Sequence, residues 1–193
     1  MMALDYGVGT IIVDNAMECD MLVKAVKRSG RSIKTMLRVN PGVEAHTHKY
    51  IVTAHLDSKF GISITKKKEI AAMIHTLTSV AEITFLGYHS HIGSQIFDKQ
   101  AYVAEIEKLM QFTKEMQTEY DIHISALNLG GGFAALYTNA DHPIPLQDVC
   151  HTILDTCKKE NAKQQLNIEK IMIEPGRSIV AEACLLYTSD AAD

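Results

Sequence analysis

The sequence predicts an α/β protein, part of a TIM-type (β/α)8 barrel, and three observations point that way. Short apolar runs alternate with stretches of helical periodicity along its 193 residues, which calls for a parallel sheet with helical crossovers. Three of those runs, at 83–87, 124–129 and 171–173, lead into segments containing glycine. These are His89-Ser90-His91-Ile92-Gly93-Ser94-Gln95, Leu129-Gly130-Gly131-Gly132-Phe133 and Glu174-Pro175-Gly176-Arg177. Polar chemistry at the C-terminal ends of successive strands is how such a barrel assembles its site. A whole barrel takes about 250 residues, so this length accommodates only part of one.

Residues 10–14 open the pattern as a buried strand. Asn15 is placed to cap a helix through about residue 28, which Gly30 ends. A second strand at 35–39 stops at the turn Asn40-Pro41-Gly42. From Val43 to about Ser63 the chain is polar, with His46, His48, His55 and Ser58-Lys59-Phe60-Gly61; loops of this length are usually functional or disordered. A helix over 66–78, capped by Thr65, leads into the strand at 83–87. Asp98 can cap the next helix, where Tyr102, Ile106, Leu109, Thr113 and Met116 keep helical spacing. After the strand at 124–129 come an irregular stretch to Pro145, a helix over 146–160 and a last strand at 171–173. The result is five strands with helical or mixed crossovers, and no linker or second domain within the chain.

Composition narrows the class. The chain is 47% hydrophobic and 22% charged with a net charge of −4, which fits a globular enzyme domain and argues against disorder. Mild acidity gives no footprint for nucleic acid, and Lys66-Lys67-Lys68 reads as a solvated helix start. No run approaches the roughly 20 apolar residues of a membrane span, and with no charged n-region before an apolar h-region at its start the chain is not expected to be a secreted precursor. The cysteines Cys19, Cys150, Cys157 and Cys184 form no C-x-x-C pair. Cys150 and Cys157 share a helical stripe with Leu146, Val149, Ile153 and Leu154, as small buried hydrophobes of a reducing cytoplasm would.

Each glycine segment admits more than one chemistry. Residues of like parity on a strand face the same way, so His89 and His91 project together. The pair suits a zinc or iron site. Equally, one imidazole could stack on a flat cofactor ring while Gly93-Ser94 offers donors to a phosphate, or both could be hydrogen-bonded barrel-mouth residues. The other two segments offer glycines and an arginine rather than further metal ligands, which favours stacking. Gly130-Gly131-Gly132 lets backbone N–H groups approach an anion closely, although such triplets also serve as plain turns. No P-loop or G-x-G-x-x-G is present. In the third segment a buried Glu174 needs a partner to stay ionised. A protonated ring nitrogen would serve, and Arg177 suits a phosphate or carboxylate; a plain Glu174–Arg177 ion pair is the structural alternative.

With these residues in hand, the chain resembles the pyridoxal-phosphate-dependent decarboxylases of the alanine-racemase-like barrel fold, and their diaminopimelate decarboxylases most closely. The matching stretches are Arg38-Val39-Asn40-Pro41-Gly42, His46-Thr47-His48-Lys49-Tyr50-Ile51, Ser58-Lys59-Phe60-Gly61-Ile62, residues 89–95, 127–133 and 174–182. The resemblance implies pyridoxal 5'-phosphate as cofactor, with His91 stacked on its ring and His89 nearby. It implies that Ser94, Gly131, Gly132, Gly176 and Arg177 hold the phosphate, and that Arg177 can also reach a substrate carboxylate. Glu174 would bond the ring nitrogen and keep it protonated, making the strong electron sink a decarboxylation needs. Racemases of this fold place an arginine there instead, so glutamate favours loss of carbon dioxide.

The implied reaction converts meso-2,6-diaminopimelate to L-lysine and carbon dioxide, with a small amino acid as partner, no nucleic acid or membrane, and a cytoplasmic homodimer as the parent. The family's covalent lysine lies on a strand upstream of anything present here, and its C-terminal β domain is missing. Residues 1–183 are therefore expected to be a partial pyridoxal-phosphate-binding barrel, inactive and aggregation-prone alone, with 184–193 a non-matching tail. The competing expectations are an ornithine, arginine or carboxynorspermidine decarboxylase, a metal-dependent barrel hydrolase using His89 and His91, and a non-catalytic regulatory homologue.

Overall fold

The structure is a computed structural model describing residues 2–43, 60–137 and 139–181. After a short helix α1 (Met2–Asp5), strand β1 (Thr10–Val13) leads into α2 (Ala16–Ser29). Asn15 caps α2 by accepting from the Glu18 amide at 3.0 Å, and Gly30 closes it in the left-handed conformation. Then follow β2 (Ile33–Asn40), β3 (Ile62–Ser63), α3 (Lys67–Thr78), β4 (Ile83–His89) and α4 (Lys99–Tyr120). The chain continues through β5 (Ala126–Asn128), α5 (Leu146–Lys163), β6 (Lys170–Met172) and α6 (Gly176–Val180). Asp98 caps α4 by accepting from the Gln100 amide at 2.8 Å.

All the strand pairs are parallel, in the order β1-β2-β4-β5-β6, with β3 beside β2. Among the described residues a helix lies between β1 and β2, β3 and β4, β4 and β5, and β5 and β6, in keeping with the alternation. Helix α2 packs on α3 and α4 on α5. The core is filled by Leu37, Tyr88, Ile106, Leu109, Met110, Met116 and Leu127, each under 2% exposed. Cys19 and Cys157 are buried within it as free thiols. Burial raises Cys19 to about 11 and Cys157 to about 12.

Three expectations change. Thr65 does not cap α3: its hydroxyl lies 2.9 Å from Ser63 Oγ, and the helix starts after Lys66 with no side-chain cap. A turn on Ser63, which also accepts from the Thr65 amide, has claimed that oxygen. Leu154 is 46% exposed while Val149, Ile153 and Cys157 are buried, because a helix rotates about 100° per residue and carries Leu154 off the stripe. The two-residue β3 lies at the end of the stretch read as loop. His46, His48, His55, Ser58, Lys59 and the tail 184–193 lie outside the described residues.

Candidate functional site

Strand register builds the site. Arg38, His89, Asn128 and Met172 are successive partners across β2, β4, β5 and β6. Aligned residues of neighbouring parallel strands share a face, so a cation, an imidazole and an amide stand in one row at the strand ends. The three glycine segments begin just beyond this row.

They meet backbone to backbone. Glu174 N donates to Gly130 O at 2.6 Å, Ser90 N to Asn128 O at 2.8 Å and Ile96 N to Gly132 O at 2.9 Å. A Cβ on Gly131 would stand 2.2 Å from Glu174 O, and one on Gly132, at φ +92°, 2.2 Å from Gly93 O. The triplet is thus demanded first by the closeness of protein segments, where sequence reasoning had an anion in view. Gln95 adds a clamp, donating to Ala135 O at 3.0 Å and accepting from the Ala135 amide at 2.8 Å.

His91, Ser94, Gly132, Phe133, Glu174, Gly176, Arg177 and Ser178 line a hollow of about 190 Å³. Of the site residues expected from sequence, His91, Ser94, Gly132, Glu174, Gly176 and Arg177 line it, whereas His89, Gly93, Gly130 and Gly131 do not. Gly131 is buried and reaches the hollow only through His91, its amide donating to His91 Nδ1 at 3.2 Å. That bond leaves Nε2 to carry the proton of a neutral His91. Burial holds this imidazole below its usual range; Arg38 and Arg177 push the same way, against Glu174. The Gly176 amide donates to Glu174 O at 2.9 Å, and a Cβ there would meet nothing within 4 Å.

Glu174 is not buried: its side chain is 47% exposed at the hollow. It follows β6, the last strand in the order of the described sheet, which pairs with β5. Its Oε1 accepts from Asn128 Nδ2 at 2.9 Å and stands 3.3 Å from His89 Nε2. His89 is 5% exposed and its Nδ1 has no partner. Burial lowers its basicity, with Glu174 opposing and Arg38 adding to the effect. A neutral His89 therefore donates from Nε2 to Glu174. No ion pair joins Glu174 to Arg177 among the described residues. Nor, among them, does any group of three His, Cys, Asp or Glu stand together to hold a metal ion.

Sequence reasoning missed Asn128, Arg38, Tyr102 and Glu105. Asn128 was detectable as a polar residue inside an apolar run, and Arg38 lay in a matching stretch without a role. Tyr102 was read only as a core position, yet its hydroxyl donates to Gly131 O at 3.2 Å. A larger hollow of about 670 Å³ lies beside α4 and α5, where Lys67 pairs with Glu115 and Lys163 with Glu160. Those charges are already matched and converge on nothing.

No described helix is long and apolar enough to cross a membrane. Residues 1–181 match the family described as "pyridoxal-dependent decarboxylase, pyridoxal binding domain". The chain is 42% identical over 188 residues to a diaminopimelate decarboxylase of Bacillus subtilis, covering 97% of this chain and 43% of that protein. Diaminopimelate decarboxylase from M. jannaschii superposes with a TM-score of 0.79 at 27% identity, covering 93% of this chain and 41% of that one. The Helicobacter pylori enzyme, solved with L-lysine, gives 0.77 at 29% identity, covering 94% and 43%. The chain thus spans less than half the length of the relatives it matches.

Proposed function

This chain belongs to the pyridoxal-dependent decarboxylase family, in its pyridoxal-binding domain, and from that premise we propose that it holds the cofactor of an enzyme converting meso-diaminopimelate to L-lysine and carbon dioxide. The observation that carries the reading is Glu174, whose Oε1 is fixed by Asn128 and His89 while the carboxylate opens onto a hollow shared with His91, Ser94 and Arg177. The donor set fits pyridoxal phosphate: a carboxylate for a protonated ring nitrogen, an imidazole for the ring, and a guanidinium with hydroxyls for the phosphate.

When bound, the cofactor supplies the sink for the electron pair released as a carboxylate leaves. Glu174 holds the proton on the ring nitrogen, and its charge is steadied by Asn128 Nδ2. His91 would hold the ring, its imidazole oriented by the Gly131 amide on Nδ1. Ser94 and Arg177 would bind the phosphate, with Gly132 in the wall and Gly176 leaving open space beside it, while Gly131 would act through its hold on His91. Arg177 can also take a substrate carboxylate. Residues 1–183 form this cofactor-binding unit in our reading. The free thiols Cys19, Cys150 and Cys157 support a reducing, cytoplasmic setting; a homodimeric parent rests on family resemblance alone.

The test is carbon dioxide release by the full-length protein offered meso-diaminopimelate, ornithine, arginine and carboxynorspermidine separately. Preference for diaminopimelate supports the assignment, and preference for another substrate overturns it. Titration of the chain with pyridoxal phosphate, followed by fluorescence, checks the cofactor site itself.

A further inference from the structure

Helix α4 carries a buried carboxyl for which the cofactor chemistry above has no use. Glu105 and Ser90 are each 0% exposed, and Ser90 Oγ lies 2.5 Å from Glu105 Oε1. The other oxygen, Oε2, has no partner. Burying a carboxyl with one oxygen unpaired is costly, and a leucine would pack there at lower cost. Burial pushes the group up to about 8, so near neutral pH it is mostly protonated.

Its position supplies the reason. Tyr102 and Glu105 are three residues apart, hence neighbours on one face of α4. Tyr102 holds Gly131 O at 3.2 Å, and Glu105 holds Ser90. Ser90 precedes His91, whose Nδ1 receives the Gly131 amide. The circuit is closed: helix, Ser90, His91, Gly131, Tyr102, helix.

We propose that Glu105 is a positioning residue that, through Ser90, sets the His91 ring against the Gly131 amide and so shapes the cofactor hollow. The link to the cofactor rests on the reading above; the link to His91 does not.

The experiment compares E105Q, E105L, S90A and the double variant S90A/E105L in the full chain, first without cofactor. Two readouts are the His91 ring-nitrogen signals, which report its tautomer, and hydrogen exchange at the Gly131 amide. E105Q keeps an oxygen for the Ser90 hydroxyl and should preserve both. E105L, S90A and the double variant should speed Gly131 exchange about tenfold and mix the His91 tautomers, which is the loss of about one hydrogen bond. Where E105L or S90A does not fold, the double variant, which leaves no orphaned group, decides. Unchanged exchange and a single tautomer in any folded E105L, S90A or double variant overturn the proposal, as does E105Q behaving like E105L. Pyridoxal phosphate affinity, measured second, should fall about tenfold in the same variants. Failure of even the unsubstituted chain to bind it would refute the cofactor reading while the ring and amide readouts still judge Glu105.

Discussion

Asn128 holds Glu174 from the neighbouring strand: its Nδ2 donates to Glu174 Oε1 at 2.9 Å while its Oδ1 accepts from the Gly130 amide at 2.9 Å. One side chain thereby ties the acid of the third segment to the first glycine of the second.

N128A should destabilise the chain by about 1–3 kcal/mol, because it orphans the buried Gly130 N–H as well as releasing Glu174. Urea unfolding measures this. A cost within a few tenths of a kcal/mol would mean that water replaces the amide at both bonds.

R177A should weaken pyridoxal phosphate binding about 10- to 100-fold, the usual range for charge-assisted hydrogen bonds. Pyridoxal without its phosphate is the control and should bind both proteins alike. Equal losses for the two ligands would remove Arg177 from the phosphate.

Alanine at two glycines should part stability from binding. G131A drives a methyl onto Glu174 O, 2.2 Å away, and should cost about 1–3 kcal/mol or more. G176A meets nothing within 4 Å and should leave stability unchanged while lowering pyridoxal phosphate affinity. Thermal melts and ligand titration together check the pair; a destabilised G176A would contradict the open wall.

Two opposed and overlapping titrations should shape stability against pH. Burial raises Glu105 from 4.5 to about 8, so the folded chain keeps a proton that the unfolded chain gives up. Stability therefore falls as pH rises from about 4.5 to about 8 and then levels. His89 and His91 are held below 6.5 by burial, so their contribution is complete above 6.5 and is lost as pH falls through that value towards their lowered folded-state range. Tyr102 and Cys157, which face Glu105, are kept protonated by burial throughout. Between about 6.5 and about 8 the Glu105 slope should remain among the shifted groups of the described residues, and E105Q should reduce it. Denaturant midpoints across that window decide; a slope that survives in E105Q belongs to another group.

What the sequence made legible was local. Asn15, Gly30 and Asp98 announced helix ends through capping chemistry that needs only a few neighbouring residues. Alternation of apolar runs and helical stripes was enough for the parallel sheet. The hollow's lining was largely readable because strand-end segments in a parallel sheet converge. What stayed hidden depends on partners 29 to 47 residues away: Tyr102 with Gly131, Asn128 with Glu174, and Asp14, whose carboxylate accepts from the Gly61 amide. Glu174 looked buried because strand ends usually are; it follows β6, which stands last in the strand order of the described sheet with β5 as its partner, and its side chain is 47% exposed. Thr65 failed as a cap because a competing turn on Ser63 is equally local and won.

The two buried thiols have a chemical consequence. Aldehydes condense with thiolates as well as with amines, and only a deprotonated sulfur attacks readily. With Cys19 raised to about 11 and Cys157 to about 12, both sulfurs stay protonated and sealed at neutral pH. A fold that handles an aldehyde thus keeps two of its own nucleophiles from trapping that aldehyde as a thiohemiacetal.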